Sequence, residues 1–437
     1  MTHARARIGI LGGGVAGMTA AWMLQDDHDV TLIERESRLG GHVETVEVEA
    51  RGRTVHAELG ARFFFDPAYP YFLALLRVLE VPTRWTDATV SITDAGSART
   101  VFLPPSLPPR AASHVTSLVR SPQLVRHLLS LRRLVSEQPE VFRQRDWSLT
   151  IERYLADKGY PQAFGPEFIY PFLAACWGSP LPELNRTPVY SLLKGMPLGT
   201  KPGFFEIERG MSRYVQAFRE QLTHVRVCLD AEVRRIEGHG PFVVEDARGE
   251  RWTFDHLLVA TGSRDALALL RGLPAASPLC AQLDGFRHFE THIVVHGDVT
   301  QMPRNRRDWA HTNLFFDGPL AWMSDWQGLA QDAPVFRLWL PRGRPLPSPL
   351  YAERRYQHLV MTPENALLQR RIAALQGANN LWLAGMYTTD VDNHESALLS
   401  ALVPVRALAP QSRNLARLLA AVSPGAAHGL EILPTAQ

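Results

Sequence analysis

The amino-acid sequence predicts an α/β fold, and three observations support that class. A short apolar segment, Arg7–Leu11, runs directly into three glycines, as a buried strand does before a tight turn. The residues that follow have helical periodicity and lead to a second apolar strand, which ends at Glu34. Apolar strands that end in glycine recur at 254–262 and 380–385. Strand–helix–strand units of this kind are typical of a parallel sheet covered by helices, as in Rossmann-like domains.

The composition limits the classes of function that the chain can serve. Of its 437 residues, 46% are hydrophobic and 21% are charged, which suits two interleaved globular domains. The net charge of +2 is too small to argue for a nucleic-acid partner. The three cysteines are widely spaced, so we expect no disulfide framework, no metal site and a reduced, cytoplasmic setting. No apolar run reaches the ~18 residues of a membrane span, and the N-terminal run ends in glycines, unlike a signal peptide.

The glycine turn has the spacing G-x-G-x-x-G, and each conserved position of that pattern has a physical task. Gly12 permits the tight turn, Gly14 lets the backbone approach a diphosphate, and Gly17 lets the helix pack closely on the strand. The helix begins at Val15 and Ala16, where free N–H groups and the positive end of the helix dipole favour an anion. The glycines alone also fit a turn in an ordinary α/β protein.

The acid at the end of the second strand favours a dinucleotide over that ordinary turn. Glu34 lies where a carboxylate accepts hydrogen bonds from an adenosine ribose. Strand, glycines, helix, second strand and acid therefore occur in the order that a dinucleotide site requires. The unit predicts a nucleotide-binding domain at the N-terminus of the chain.

The segment after Glu34 indicates which dinucleotide is bound. The residues ERESRLGGH, from Glu34 to His42, resemble the E-x-x-x-R-x-G-G signature of the flavin amine oxidase and phytoene desaturase superfamily. Glu58-Leu59-Gly60-Ala61-Arg62 resembles the segment whose backbone follows the flavin ring in that superfamily. The resemblance implies FAD, with Arg38 at the diphosphate. The residues expected to hold FAD are Gly12, Gly14, Val15, Ala16, Gly17, Glu34, Arg35, Arg38, Gly40, Gly41, His42, Gly60, Ala61, Arg62, Val233, Gly385, His394 and Glu395.

The resemblance extends to the C-terminal part of the chain. Val233 lies in a strand like the one that meets the adenine through its backbone, and Gly385 ends a later apolar strand. The helix that follows, capped by Asp392 or Asn393, would point its N-terminus at the flavin, and Pro404 should kink or end it. The chain is most similar to a bacterial subgroup of predicted FAD-binding, amine-oxidase-like proteins, which share Gly-Gly-His and a His-Glu pair opening this helix. The subgroup has Gly-Phe where this chain has Asp392-Asn393.

These segments predict a discontinuous Rossmann-like FAD-binding domain combined with an α+β substrate domain. The FAD-binding domain is expected over 1–60, 200–285 and 375–420, and the substrate domain over 61–199 and 286–374. A loose tail is expected over 426–437, where the sequence pattern is weak.

Catalytic residues are harder to predict, because the flavin itself carries the redox chemistry. Amine oxidases of the superfamily commonly hold a lysine near the flavin, on a substrate-domain strand, but the corresponding segment 292–296 has none. Three residues are candidates for contact with flavin or substrate. His394 opens the last helix, where a histidine can also serve only to cap the helix end. His296 ends a strand, where it can instead make only a hydrogen bond to the backbone. Tyr387 either lines the pocket or belongs to the core. Glu395 also suits the first helical turn.

Residues 106–145 combine arginines with leucines and valines at helix-like spacing and contain few acids. Such a helix can lie on an anionic membrane or meet an acidic, apolar substrate, or it packs its leucines inward with the arginines in water.

The leading functional prediction is an FAD-dependent oxidoreductase, either a dehydrogenase/desaturase or an oxidase. It would remove hydride from a hydrophobic substrate, such as an acyl chain or a lipophilic natural product, and pass the electrons to O₂ or another acceptor. The alternatives are an amine or amino-acid oxidase, a redox-neutral flavin-dependent isomerase, and an FAD-binding protein without catalytic activity.

Overall fold

A computed structural model describes residues 5–66, 68–86, 89–102, 122–178, 181–195, 203–318, 320–389, 391 and 393–423. Its centre is a sheet of five parallel strands, as the N-terminal βαβ unit predicts. They are β1 (Arg7–Leu11), β2 (Asp29–Ile33), β10 (Val225–Cys228), β14 (His256–Val259) and β20 (Leu381–Leu383). Their spatial order is β10-β2-β1-β14-β20. Strands distant in sequence therefore lie side by side, and their carboxyl ends meet at one edge.

One face of this sheet is covered by six helices that share a continuous apolar core. They are α1 (Val15–Leu24), α2 (Pro70–Val78), α8 (Ser212–Gln221), α12 (His394–Ser400), α13 (Leu402–Leu408) and α14 (Arg413–Ala421). The sequence predicts an amphipathic α1, but every residue of α1 is buried, because the sheet and the other helices enclose it on all sides. The helix break expected from Pro404 is confirmed: α12 ends at Ser400 and α13 begins two residues later.

The opposite face packs on a smaller antiparallel sheet and three helices. The strands are β11 (Val233–Gly238), β12 (Phe242–Asp246) and β13 (Arg251–Phe254), and the helices are α9 (Ser263–Leu270), α10 (Ser277–Leu283) and α11 (Pro363–Ala373). The parallel sheet is thus covered on both faces, which is the arrangement that parallel strands require.

A second large sheet forms the other half of the molecule. It contains β19 (Leu350–Leu359), β15 (His288–His296), β18 (Phe336–Trp339), β17 (Leu320–Trp326), β16 (Thr312–Asp317), β7 (Val90–Asp94) and β8 (Arg99–Phe102), in that spatial order. Neighbouring strands are antiparallel except β16 and β7.

Two small β units accompany the large sheets. One is the hairpin of β3 (Thr45–Ala50) and β4 (Arg53–Glu58), and the other joins β5 (Phe64–Asp66), β9 (Gly203–Ile207) and β6 (Thr83–Thr86). The chain between β4 and β5 is the Gly60–Arg62 segment, so both units fix its course.

A helical group packs against the second sheet. It consists of α3 (Pro122–Gln144), α4 (Ile151–Asp157), α5 (Tyr170–Trp177), α6 (Leu181–Leu184) and α7 (Val189–Gly195), with a π-helical turn over Gly165–Ile169. Among the described residues, no helix combines the length and apolar character needed to cross a membrane, and no cluster of acids, histidines or cysteines could hold a metal ion.

Helix α3 accounts for the described part of the basic stretch at 106–145. Pro122 is the first described residue of this helix. Leu134 and Val141 are buried, whereas Leu129 remains 61% exposed, so the leucines do not all pack inward. Residues 106–121 and the tail at 426–437 lie outside the described residues.

Candidate active site

The glycine turn at the carboxyl end of β1 has the close packing that the sequence predicts. Gly12 has a φ of +107°, and a Cβ there would lie 2.7 Å from the carbonyl oxygen of Ala260. A Cβ on Gly17 would collide with the carbonyl oxygen of Gly12. Both positions therefore require glycine, because the backbone of Ala260, just after β14, closes on Gly12, and the backbone of Gly12 closes on Gly17.

Gly14 differs from these two glycines, because space is open beside it. A Cβ on Gly14 would meet only the Cα of Gly41, at 4.0 Å. Helix α1 begins at the next residue, with no side-chain cap and no acid in its first turn. The first N–H groups of α1, at Val15 and Ala16, thus face an open slot, and an anion such as a diphosphate satisfies them. The residues present fit the ADP half of FAD.

Glu34 is held in place by backbone donors on both of its carboxylate oxygens. One oxygen accepts a hydrogen bond from the Gly13 N–H at 2.6 Å, and the other accepts one from the Glu36 N–H at 2.9 Å. Each oxygen can accept a second bond, so the carboxylate is oriented and can still receive ribose hydroxyls.

The loop after β2 is bound to the glycine turn and to the segment after β4. The Gly40 N–H donates to the Gly13 carbonyl at 2.9 Å, and Gly40 and Gly41 both have positive φ. Gly60 packs so tightly on the His42 carbonyl that a Cβ would collide with it. The backbone around Gly14, Gly41 and Gly60 thus lies together and borders the open space beside Gly14, which is called the cleft below.

Several other residues expected at the cofactor make structural contacts in this loop and at its margin. The Arg38 guanidinium donates to the Val43 carbonyl at 2.8 Å and pairs with Glu44 at 2.9 Å. Arg35 lies at the surface and pairs with Asp265 at 3.3 Å. Val233 opens β11, and the ring of the exposed His42 lies 4.5 Å from the Tyr356 ring.

The helix opening predicted at the flavin is built as a capped helix. Asn393 is the cap, and its side chain accepts from the Ser396 N–H at 2.8 Å. Asp392, the other predicted cap, lies outside the described residues. Gly385 precedes this region with a φ of +136°, and its N–H donates to Ser400 Oγ at 2.8 Å. That bond ties the end of β20 to α12.

His394, the first residue of α12, is a half-buried histidine with an aromatic environment. Its Nε2 lies 2.9 Å from the hydroxyl oxygen of Tyr214, and the Phe72 ring packs edge-on at 4.6 Å. Burial, with the nearby His42, lowers the pKa of His394 to about 3. The ring is therefore neutral at physiological pH.

Glu395 is directed away from the cleft. Its two carboxylate oxygens accept from the backbone N–H groups of Tyr71 and Phe72, each at 2.8 Å. These are the first N–H groups of α2, so Glu395 caps a second helix across the interface. Burial raises the pKa of Glu395 to about 8. The contacts of Glu395 join α12 to α2. They do not support the contact with FAD that the resemblance predicts for this residue.

Arg62 also turns away from the cleft, into a buried ionic network. Its guanidinium pairs with Glu206 at 2.9 Å and lies 3.0 Å from His311 Nε2, while Arg84 pairs with the other oxygen of Glu206 at 2.8 Å. Burial alone would raise the pKa of Glu206, but the charges of Arg62 and His311 outweigh it and hold that pKa well below its usual range.

A second buried ion pair supports the same backbone segment. Arg337 on β18 donates to the Gly60 carbonyl and pairs with Asp325 on β17, and Thr312 donates to Asp325 at 2.9 Å. Sequence reasoning missed these residues. The available signal was a charge within an apolar strand, as in Val335-Phe336-Arg337.

The other two catalytic candidates lie away from this cleft. His296 pairs with Phe336 across the sheet, on the face opposite to that of Arg337, and its Nδ1 accepts from the Asp298 N–H at 3.1 Å. Tyr387 is 2% exposed and packs on Phe286 within the core of the cofactor half. The structure therefore does not bring either residue together with His394.

Aromatic side chains continue the cleft beyond Arg62. Phe63 and Phe204 lie 6.4 Å apart, Phe204 lies 5.4 Å from Phe65, and Phe65 lies 5.1 Å from Tyr69. Of these four residues, here called the aromatic face, Phe65 and Phe204 pair across β5 and β9 on the side opposite to the core residue Phe64. Phe63 precedes β5 and also packs on the Arg62 guanidinium and the His311 ring, and Tyr69 precedes α2 and packs against the core. In the part of the chain that the structure describes, three of the four are only partly buried.

Comparisons with known proteins agree with this architecture. The family described as flavin containing amine oxidoreductase matches residues 15–378. A CLA-producing fatty acid isomerase from P. acnes has a TM-score of 0.69 and 15% identity, covering 93% of this chain and 99% of that chain. Wild-type putrescine oxidase bound to putrescine has a TM-score of 0.60 and 13% identity, covering 93% and 100%.

A curated relative matches over a short stretch only. An L-amino-acid oxidase from Siganus canaliculatus is 53% identical over 53 residues, which are 12% of this chain and 10% of that protein.

Proposed function

Because the chain belongs to the flavin-containing amine oxidoreductase family, and is therefore an FAD-dependent oxidoreductase, we propose that it removes hydride from a hydrophobic substrate. An acyl chain or a lipophilic natural product is the proposed substrate class. Bound FAD supplies the hydride acceptor, and O₂ or another oxidant then takes the electrons.

The aromatic face is the observation that carries the proposal. It begins beside Arg62, directly after the backbone segment that lies along the flavin ring in this family. Phe204 offers partly exposed apolar surface outside the core, and Phe63 lies beside it while also packing on Arg62 and His311. Burying apolar surface of this kind against an apolar ligand is favourable by about 25 cal/mol per Å².

The carboxylates near this segment do not favour a cationic amine as the substrate. Glu58 accepts from the Met211 N–H at 2.8 Å, and Glu206 and Asp325 are each held by arginine. A substrate ammonium that paired with Glu206 or Asp325 would have to displace an arginine, which leaves a buried charge unpaired. An uncharged substrate does not need to displace any of these partners.

The folds of the structural neighbours do not choose between these classes. The same architecture serves the fatty acid isomerase and putrescine oxidase, at identities that establish the fold alone. The choice of an apolar substrate therefore depends on the side chains of this chain.

The proposal is tested by turnover of the FAD-loaded protein with two matched panels. One panel contains fatty acids, fatty alcohols and terpenoids, and the other contains primary amines and L-amino acids. We expect a product that has lost two hydrogen atoms from the first panel, with consumption of O₂ or of an added dye. Turnover of amines alone would contradict the proposal. A rearranged product of unchanged mass, formed without oxidant, would replace it with isomerisation.

A further inference from the structure

We propose that Tyr214 is a positioning residue that holds His394 in the tautomer protonated on Nδ1, so that a neutral N–H donor faces the FAD cleft. This inference is independent of the identity of the substrate.

The hydrogen bond between the two side chains has a defined direction. Tyr214, on α8, is fully buried, and among the described residues its hydroxyl has one hydrogen-bond partner, His394 Nε2 at 2.9 Å. A buried O–H group without an acceptor costs about 1–3 kcal/mol. Tyr214 therefore donates its only hydrogen to Nε2, and Nε2 carries no proton.

The neutral state of His394 determines where its proton lies. A charged imidazolium has N–H donors at both nitrogens and could not accept from Tyr214. Burial and the neighbouring His42 keep the pKa of His394 low, and the adjacent Glu395 turns its carboxylate to α2. The single ring proton is therefore on Nδ1.

Among the described residues, which do not include Asp390 and Asp392, the observed neighbours of the ring lie on its Nε2 side and against its edge. Tyr214 occupies the Nε2 side and Phe72 packs edge-on against the ring, yet His394 is only half-buried. His42, whose charge acts on His394, belongs to the loop that closes on Gly14 and Gly60. We therefore place Nδ1–H toward the cleft between those glycines.

A neutral donor at this place has a definite consequence for a redox cofactor. Reduction adds negative charge to a flavin, and a preorganised N–H donor stabilises that charge without itself being neutralised by a change in pH. A charged histidine would instead lose its effect as it deprotonated.

The tautomer can be observed directly in the apoprotein. Protein labelled with ¹⁵N-histidine is examined by two-bond ¹H–¹⁵N correlation, with His394→Gln used to assign the signal. We expect a protonated Nδ1 and an unprotonated Nε2, unchanged between about pH 5 and 8. In Tyr214→Phe we expect a mixture of both tautomers. A wild-type Nε2–H tautomer, a titration in that range, or an unaltered tautomer in Tyr214→Phe would overturn the proposal.

A matched pair of substitutions tests the donor itself. His394→Asn keeps an amide near the Nδ1 position, whereas His394→Gln places its amide near Nε2, toward Tyr214. The readout is the flavin midpoint potential, after FAD titration and thermal melting have shown that both variants fold and bind. We expect His394→Gln to weaken binding of reduced relative to oxidised FAD about tenfold, a fall of about 30 mV for two electrons. We expect His394→Asn to stay within about threefold of wild type. Equal potentials in the two variants would contradict a donor at Nδ1.

Discussion

The open space beside Gly14 leads to a prediction that separates cofactor binding from folding. In Gly14→Ala the added methyl meets no protein atom closer than the Gly41 Cα at 4.0 Å, and the φ of Gly14, −72°, suits alanine. The fold should therefore accept the substitution. The methyl nevertheless projects into the slot in which the N–H groups at the start of α1 would bind the diphosphate of FAD.

The two effects differ greatly in size. Alanine is a poorer helix cap than glycine, which destabilises the folded state by roughly 0.5–1 kcal/mol. Alanine also restricts the unfolded chain, which favours folding by about 0.4–1 kcal/mol. The free energy of unfolding should therefore change by less than about 1 kcal/mol. For FAD, losing two charge-assisted hydrogen bonds at about 1.5–3 kcal/mol each predicts at least a hundredfold weaker affinity, since about 1.4 kcal/mol is tenfold.

Gly17→Ala provides the matched control, because it should lower the stability of the apoprotein, which Gly14→Ala should leave nearly unchanged. Its methyl collides with the Gly12 carbonyl, so α1 and the turn must separate. Overpacking of this kind costs about 1–3 kcal/mol or more, and it should appear in the urea unfolding of the apoprotein. Fluorescence titration of apoprotein with FAD gives the affinities. Wild-type FAD affinity in Gly14→Ala, or an equal loss of apoprotein stability in both variants, would refute the assignment of this slot to the diphosphate.

Three further predictions concern the helix cap, the dependence of stability on pH, and the aromatic face. Glu395→Ala leaves two backbone N–H groups of α2 buried without acceptors, so unfolding of the apoprotein should become easier by about 2–4 kcal/mol, as measured in urea; a change below about 0.5 kcal/mol would contradict the cap. Burial raises the pKa of Glu58 to about 7 and of Glu395 to about 8, so the folded state binds more protons than the unfolded state above the usual pKa of about 4.3. These two groups therefore make a contribution to stability that falls as pH rises from about 4.5 to 8, whereas His394, whose pKa is lowered, contributes with the opposite sign below about pH 6.5. The free energy of unfolding of Glu395→Gln relative to that of the wild type should therefore increase as pH rises over this range, as measured in urea titrations; a constant difference between the two proteins would count against it. Phe204→Ala should raise KM for an apolar substrate about tenfold, while Trp85→Ala, at a 60% exposed position, should not; equal effects of the two would argue against the aromatic face as the substrate surface.

The parts of the site that the sequence predicts well are those where backbone geometry leaves little choice. Gly12 and Gly17 occupy positions where a Cβ has no room, and Glu34 ends a strand whose register is set by β1. A local pattern of residues is enough to reveal such positions, because the constraint arises within a few residues of sequence or between adjacent strands.

The side chains that line the cleft are less predictable, because their contacts join distant segments. Glu395 has the residue type and place of a first-turn acid, yet it caps α2, more than three hundred residues earlier in the chain. Tyr214 and Arg337 have no local signature that links them to His394 or Gly60. The sequence offers both His296 and His394 as candidates, with His394 the better placed, and only the pairing of β15 with β18 shows that His296 faces the side of the sheet opposite to Arg337.

The most direct test of the proposed chemistry is anaerobic mixing of the FAD-loaded protein with each substrate class while the visible flavin absorbance is recorded. The proposal that this family member oxidises an apolar substrate predicts lasting loss of the oxidised flavin band with an acyl compound or terpenoid, slowed in Phe204→Ala, and no loss with amines or amino acids. Lasting loss with amines or amino acids and none with apolar compounds would contradict it.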